Sequence, residues 1–460
     1  MFGRGLNTSS KPLLKSNHYP RRMTQVKTPG KIGLWTSTAL VVGNMIGSGV
    51  FLLPAALAAY GGIGLLGWLG SSTGAIVLAL LFSNLCKIIP NALGGPYAYT
   101  RSGLGDFAGF LVAWGYWISI WCTNAAIAVT FVSYSTVFFP ILATNSIMAV
   151  GTGLGAVWLL TWVNTLGVKQ AGRVQIITTV LKLTPLLLVS IVGLFYMDVD
   201  NFSPFNISSV SNFKAITATA TLTLFAFLGL ESATIPSGDI HEPEKTIPRA
   251  TMIGTILTIL VYVLGSVAVM GMIPALELKN SNAPFADAAA LIWGDSARYW
   301  VAAGAIVSTF GALNGWILLQ GQMPRAASRD HLFPEIFKRE NKNGSPALGI
   351  VISSVLISAL MMMNFTKGLT DTFTFMVLLT TLAVLVPYLF SAASYGVILL
   401  QNKFWHRESI SKIVLAAVAL VFSLWAIVGS GQETVYWGFI AILSGIPFYV
   451  WMKRTKMDQD

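Results

Sequence analysis

Charged side chains are scarce in this sequence. Asp, Glu, Lys and Arg make up 10% of its 460 residues, whereas an ordinary soluble domain carries roughly 25%. Hydrophobic residues reach 54%, and the mean hydropathy is +0.69. So few charges could not cover the surface of a soluble chain of this length. The composition excludes a soluble enzyme and a disordered chain, and it favours an integral membrane protein made of helices.

Cysteine and histidine are also rare. The two cysteines, Cys86 and Cys122, lie in apolar segments, and the four histidines lie in polar connections. This pattern provides neither a disulfide framework nor a paired set of metal ligands. The apolar segments contain no Ser/His arrangement typical of a hydrolase. We therefore expect no metal, no cofactor and no catalytic residues, and we do not expect an enzyme.

The formal net charge of +11 could indicate a nucleic-acid partner, but the distribution of the charges favours an orientation signal. If the N-terminus is cytoplasmic and the chain crosses the membrane twelve times, 24 Lys and Arg residues fall on the cytoplasmic side and 4 on the outer side. An excess of Lys and Arg in cytoplasmic loops is typical of membrane proteins. The count predicts a multi-pass protein of the inner (cytoplasmic) membrane with both termini cytoplasmic. Its partner would be the lipid bilayer and not a nucleic acid.

Twelve apolar segments are long enough to cross a hydrocarbon core of about 30 Å. They must be helices, because backbone polar groups in lipid pair within their own segment. We place the segments at 33–59, 63–89, 108–138, 147–167, 174–197, 214–238, 248–273, 297–321, 346–364, 371–400, 411–430 and 434–452.

Two of these segments are interrupted in a matching way. In the first, a Gly-Ser-Gly cluster at 47–49 begins seven residues before Pro54, and in the sixth, Gly229 lies seven residues before Pro236. Both patterns disfavour a continuous helix. Paired interruptions in two halves indicate a secondary-transporter site, where freed N–H groups attract a carboxylate and freed carbonyls attract an ammonium group. The alternative is that these glycines only allow close helix packing.

Two ionisable residues lie deep inside apolar segments. Glu231 lies within the sixth-segment interruption, and Lys182 lies about nine residues into the fifth segment. Each would cost several kcal/mol at the bilayer centre unless it is paired or faces a cavity. We predict that Glu231 couples protonation to gating, and that Lys182 bridges the fifth helix to the carbonyls freed at the first interruption. The alternative is that the two residues form a buried ion pair without a function, or that the Lys182 side chain extends to the membrane surface.

Several motifs resemble those of the amino acid–polyamine–organocation transporters, and in particular the arginine/agmatine and basic amino acid/polyamine antiporters. They are GNMIGSGVF at 43–51, GGPYAY at 94–99, YW at 116–117, GLES at 229–232 and HEPEKTIPRA at 241–250. The resemblance implies an all-α LeuT-type fold of twelve helices, with helices 1 and 6 broken, and often a homodimer. It also implies a cytoplasmic tail at 1–30, inverted five-helix repeats at 31–197 and 198–400, and helices 11 and 12 at 401–460.

The resemblance implies two sets of site residues. Those expected to bind the substrate are Asn44, Met45, Gly47, Ser48, Gly49, Ser119, Asn124, Phe225, Leu228, Trp316 and Thr380. Those expected to act in gating or proton coupling are Glu231, Lys182, Tyr97, Tyr116 and Tyr388. Five positions depart from the arginine/agmatine antiporter. Phe225 replaces the gating tryptophan, Ala226 replaces a serine, and Lys182 replaces an uncharged residue. Ser119 and Ile120 replace a small Ala-Cys pair at the pocket floor, which Ile120 makes more apolar.

These observations predict an amino acid transporter that works by alternating access, most simply an antiporter for basic amino acids and polyamines. Its partners would be a small amino acid or amine and, in some mechanisms, protons. The alternative is a proton-coupled permease for neutral amino acids. A channel or a substrate-sensing receptor is disfavoured by the interrupted helices and by the lack of an attached signalling domain.

A lysine that takes the place of a bound cation should make transport independent of sodium. The three N–H donors of an ammonium group can satisfy freed carbonyls in the way that a metal ion would. Lys182→Ala should therefore abolish most of the turnover in reconstituted vesicles while the protein still inserts in the membrane. Full activity of this variant, or strict sodium dependence of the parent protein, would contradict the predicted role.

Overall fold

The structure is a computed structural model that describes residues 32–89, 95–166, 184–234, 240–364, 368–401 and 407–457. Helices fill most of these ranges. These ranges contain no β-strand, and their one isolated β-bridge joins Ile32 to Ile240. Helices dominate because each helix satisfies its own backbone polar groups, which lipid cannot do. The predicted tail at 1–30 lies outside the described residues.

The helices of the first half surround one long central helix. They are α1 (Leu34–Met45), α2 (Gly49–Ala58), α3 (Gly64–Ile88), α4 (Pro96–Leu104), α5 (Asp106–Ser135), α6 (Ser146–Thr165) and α7, which is described at Thr184–Gly193.

Within the described ranges, the second half and the C-terminal part contain nine further helices of ten or more residues. They are α8 (Asn212–Leu224), α9 (Pro243–Met272), α10 (Pro284–Trp293), α11 (Asp295–Arg329), α12 (Ala347–Met363), α13 (Leu369–Gln401), α14 (Arg407–Gly429), α15 (Gln432–Leu443) and α16 (Gly445–Met457).

Nine helical stretches in the described part of the chain are long and apolar enough to cross a membrane. The bent pair α1 and α2 makes ten if it is one span, and α7, α10 and α12 are shorter apolar helices. Each of the twelve predicted segments overlaps a helix, although the fifth and ninth overlap the short α7 and α12. The predicted mostly helical, multi-pass architecture is confirmed, whereas the total of twelve spans stays a prediction.

The first predicted segment is divided into two helices. Helix α1 ends at Met45, α2 begins at Gly49, and the two are bent by 40°. Gly47 donates its backbone N–H to the Met45 carbonyl at 3.0 Å, so the α-helical bonding pattern does not continue. The Gly-Ser-Gly cluster has low helix propensity, which explains why the chain departs from the helix at this point.

The sixth predicted segment leaves the α-helical conformation after Leu224. A 3₁₀ turn spans Phe225–Phe227, and Leu228 is extended with ψ 133°. Gly229 then adopts φ +99°, a conformation that glycine reaches without the steric cost of a Cβ. A second 3₁₀ turn follows at Ser232–Thr234, and Pro236 lies outside the described residues. We refer to residues 46–48 and 225–229 as the first and second breaks.

The core lies around α5, which is buried along most of its length and packs against α11 and α13. Helix α3 packs against α8 and α9. Large apolar side chains such as Trp300 and Phe195 remain 80% and 85% exposed on the outside, as expected for a protein whose outer surface contacts lipid. This packing encloses both breaks and keeps them away from lipid.

Close packing of α3 on α8 depends on Gly67. A Cβ added there would lie 2.6 Å from the backbone carbonyl carbon of Thr219. Gly67→Ala should force the helices apart and lower the free energy of unfolding by about 1–3 kcal/mol, the usual cost of overpacking. Gly155→Ala is the matched control, because a Cβ at Gly155 has nothing within 4 Å. Equal thermal unfolding temperatures of the two variants in detergent would contradict this packing.

Candidate functional site

The two breaks lie against each other, and two glycines allow the approach: Gly229 in the second break and Gly49, which directly follows the first. A Cβ at Gly229 would lie 3.2 Å from the Cβ of Asn44, and one at Gly49 would lie 3.2 Å from the ring of Phe225. Both distances are tighter than ordinary side-chain contacts. The interrupted segments are therefore held together at the point where their backbones leave the helix.

A small cavity of about 10 Å³ lies between the breaks, enough for about one water molecule. Its walls come from α1, α2, α5, α11 and both breaks. The lining residues are Asn44, Met45, Gly47, Ser48, Gly49, Thr123, Ile127, Phe225, Leu228 and Trp316. The cavity is therefore too small for an amino acid, which could enter only after the surrounding elements move.

The cavity presents hydrogen-bond donors at its first-break side. Ser48 is 1% exposed, and its hydroxyl has no hydrogen-bond partner among the described residues. It immediately precedes α2, whose first N–H groups have no acceptor within their own helix. The positive end of a helix dipole adds to these donors. A carboxylate is the ligand group that this arrangement suits.

Eight of the eleven predicted substrate-binding residues line this cavity, and three do not. Ser119 donates its hydroxyl to the Tyr116 carbonyl at 2.7 Å. Asn124 donates its side-chain amide to Gln320 Oε1 at 2.7 Å. Thr380 is fully buried, and its hydroxyl has no partner in the part of the chain that the structure describes.

Sequence reasoning missed two lining residues, Thr123 and Ile127. Both lie on α5 at intervals of four residues from Ser119, so they share its face of the helix. The Thr123 hydroxyl donates to the Ser119 carbonyl at 2.8 Å, which fixes its rotamer. The spacing from Ser119 was the signal that could have identified them.

Glu231 lies beyond the second break with its carboxylate between two tyrosines. Tyr116 of α5 donates to Oε1 and Tyr388 of α13 donates to Oε2, each at 2.6 Å. The carboxylate is 1% exposed, and its backbone carbonyl accepts from the Thr234 hydroxyl at 2.6 Å. When ionised, this carboxylate accepts both hydrogen bonds and links α5 to α13, whereas protonation would turn one of its oxygens into a donor.

Tyr97, also predicted to act in gating, lies elsewhere. Its hydroxyl donates to Asp330 Oδ2 at 2.8 Å, just after the end of α11. Arg101 donates to the Asp330 carbonyl at 3.1 Å and pairs with Asp106 at 2.9 Å. Lys453 contacts the same Asp106 carboxylate at 3.3 Å. These residues connect α4, α5, α11 and α16 and do not contribute to the Glu231 cluster.

The Lys182 hypothesis cannot be read from this geometry, since Lys182 lies outside the described residues. Within them, the freed Met45 carbonyl accepts from the Tyr262 hydroxyl at 2.8 Å. Tyr262 is a contact that sequence reasoning missed. Its signal was a polar face on α9, where Thr251, Thr255 and Thr258 recur at helical spacing before it.

Comparison with known proteins agrees with this architecture. Residues 32–447 match the family model described as amino acid permease. The chain is 34% identical to an arginine/ornithine antiporter of Pseudomonas aeruginosa, covering 88% of this chain and 87% of the relative. It is also 34% identical to a cadaverine/lysine antiporter of Escherichia coli, covering 91% and 94%.

The fold has a solved counterpart in the crystal structure of MhsT in complex with L-phenylalanine. That structure covers 88% of this chain and 100% of its own, with a TM-score of 0.58 and 15% identity. MhsT has the LeuT fold, so the resemblance predicted from the motifs is consistent at the level of fold. The family match and the antiporter relatives together establish that the chain belongs to the amino acid permease family.

Proposed function

We propose that this protein is a secondary transporter that exchanges a basic amino acid for a related amino acid or diamine. The observation that carries the proposal is the meeting of the two breaks at a buried cavity with Ser48 and the N-terminus of α2 as donors. The names of the relatives, arginine/ornithine and cadaverine/lysine antiporters, support a substrate of this class.

The substrate backbone groups bind between the breaks in this proposal. The carboxylate accepts from the Ser48 hydroxyl and from the Gly49 N–H at the start of α2, and the ammonium group donates to carbonyls near Phe225 and Leu228. Trp316 lines the cavity, and a cation over a desolvated indole ring is worth on the order of 2 kcal/mol. The indole therefore supplies attraction for a basic side chain, although no carboxylate of the described residues lines the cavity.

The remaining predicted pocket residues contribute when the cavity widens. Asn124 Oδ1 and the Thr380 hydroxyl are buried and have no hydrogen-bond partner among the described residues. A cationic side chain that reached them would gain two neutral oxygen acceptors, and each buried group would gain a partner. Ser119, one turn of α5 away, completes this deeper part of the pocket.

Alternating access follows from a site that is too small for its ligand in this state. A cavity of about 10 Å³ must open to one side and then to the other. We propose twelve spans in the cytoplasmic membrane, with helices 1 and 6 broken and both termini cytoplasmic. The inverted repeats span 31–197 and 198–400, and two copies can associate as a homodimer.

The second candidate function is a proton-coupled permease for neutral amino acids. It is favoured by the apolar lining that Ile127 and Leu228 give the cavity. A small neutral substrate needs the same backbone donors and acceptors but no contact for a cationic group.

Exchange by purified protein in proteoliposomes tests the main proposal. Uptake of labelled arginine, lysine or ornithine should require internal basic amino acid or diamine, because an exchanger returns only when loaded. Trp316→Ala should weaken the apparent affinity for these substrates by about tenfold through the lost cation–ring attraction. Uptake into empty vesicles, with competition by alanine or leucine but not by basic amino acids, would favour the permease.

The Glu231 cluster predicts how transport depends on pH. Glu231→Gln keeps an oxygen acceptor but cannot titrate, so the exchange rate should lose most of its variation between acid and neutral pH. Tyr395→Phe is the control, since Tyr395 is a buried tyrosine of the same helix as Tyr388 and its hydroxyl has no partner among the described residues. An unchanged pH profile in Glu231→Gln, measured beside this control, would remove the proposed coupling role.

A further inference from the structure

We propose that Tyr262 is a positioning residue for substrate binding, which holds the first break through its hydroxyl and the second break through its ring. The inference deepens the proposed function and rests on it, because it concerns the same cavity. It adds α9 to the elements that build the site, although no α9 residue lines the cavity itself.

The hydroxyl of Tyr262 satisfies a carbonyl that the first break has released from the helix. In a continuous helix, the Met45 carbonyl would accept from the N–H of Gly49. Instead, α1 ends at Met45, and this carbonyl accepts from Tyr262 at 2.8 Å and from the Gly47 N–H at 3.0 Å. The hydroxyl therefore supplies a donor to a carbonyl that lost its helical partner at the first break.

The side chain of Met45 is held from the same helix. The hydroxyl of Thr258, one turn before Tyr262 on α9, lies 3.7 Å from the Met45 sulfur. Met45 itself lines the cavity. Helix α9 thus fixes both the carbonyl and the side chain of a residue in the cavity wall.

The ring of Tyr262 contacts the second break. It lies edge-on to Phe227, with ring centroids 6.2 Å apart at 66°, and it stacks on Trp68 of α3 at 5.4 Å and 27°. Trp68 also meets Phe227 edge-on at 6.0 Å. The three rings form one closed cluster, and the fully buried Phe227 belongs to the 3₁₀ turn that begins the second break.

This arrangement fixes the direction of the cavity's hydrogen-bonding groups before a ligand arrives. Without the Tyr262 hydroxyl, the Met45 carbonyl would keep only the Gly47 N–H as a partner, and the chain around it would be freer to move. This part of the chain leads directly into Ser48, whose hydroxyl is a donor in the cavity wall. Donors that already point towards the ligand bind it more tightly, because less conformational entropy is lost on binding. Removal of the Tyr262 hydroxyl should therefore weaken substrate binding more than it changes the rate at saturation.

Tyr262→Phe tests the inference, since it removes the hydroxyl and keeps the ring cluster. The apparent affinity for arginine or lysine in the exchange assay should fall by about tenfold, the effect of one buried hydrogen bond. The maximal rate should change by less than about twofold, as expected for a contact that acts on binding. Hydrogen–deuterium exchange should accelerate in peptides that cover residues 42–50.

Tyr395→Phe is the matched control, because it removes a buried tyrosine hydroxyl that has no partner among the described residues. It should leave affinity, maximal rate and deuterium uptake at parent values. Tyr262→Phe values equal to those of Tyr395→Phe would overturn the inference, and so would a fall in maximal rate with unchanged affinity. If the parent protein exchanges no basic amino acid, the proposed function is rejected. The deuterium uptake of the unliganded protein still tests the role of Tyr262 in that case.

Discussion

The need of every buried backbone polar group for a partner is the constraint on which this structure depends. A membrane helix meets that need by itself, and a break in a helix does not. At the first break, the Met45 carbonyl is satisfied by Tyr262. Beyond the second, the Glu231 carbonyl is satisfied by Thr234. Such partners are available only inside the bundle, so the breaks lie between α5, α9 and α11 and not at the lipid-facing surface.

The same constraint makes the breaks useful. Backbone N–H and C=O groups that would pair within a continuous helix become available to a ligand at a break. They lie in a site shielded from water, where hydrogen bonds are stronger than in water. Ser48 illustrates this, because its buried hydroxyl has no partner among the described residues and it precedes the N-terminus of α2. Gly229 and Gly49 have no side chain, so the two breaks can approach closely enough to line one cavity.

Tyrosines connect this site to the helices around it. Tyr116 and Tyr388 bring α5 and α13 to the Glu231 carboxylate, while Tyr262 brings α9 to the first break. Each side chain combines a rigid ring, which packs, with a hydroxyl, which can donate into a polar gap. Changes at the cavity are therefore able to reach three long helices through few bonds. A fourth tyrosine, Tyr97, lies away from this site and links α4 to Asp330.

The sequence by itself determined the membrane class, the helical architecture and the family, because hydropathy and the glycine motifs are local properties of the chain. It also located both breaks and Glu231, since glycine, proline and a buried charge are exceptional in an apolar segment. Tertiary structure decided which side chains meet. Tyr262 was not predictable as the partner of Met45, 217 positions away, because a tyrosine in an apolar helix carries no mark of what its hydroxyl will reach. The exclusion of Ser119, Asn124 and Thr380 from the cavity wall was likewise a matter of where each side chain lies in the packed bundle, which only the folded chain sets.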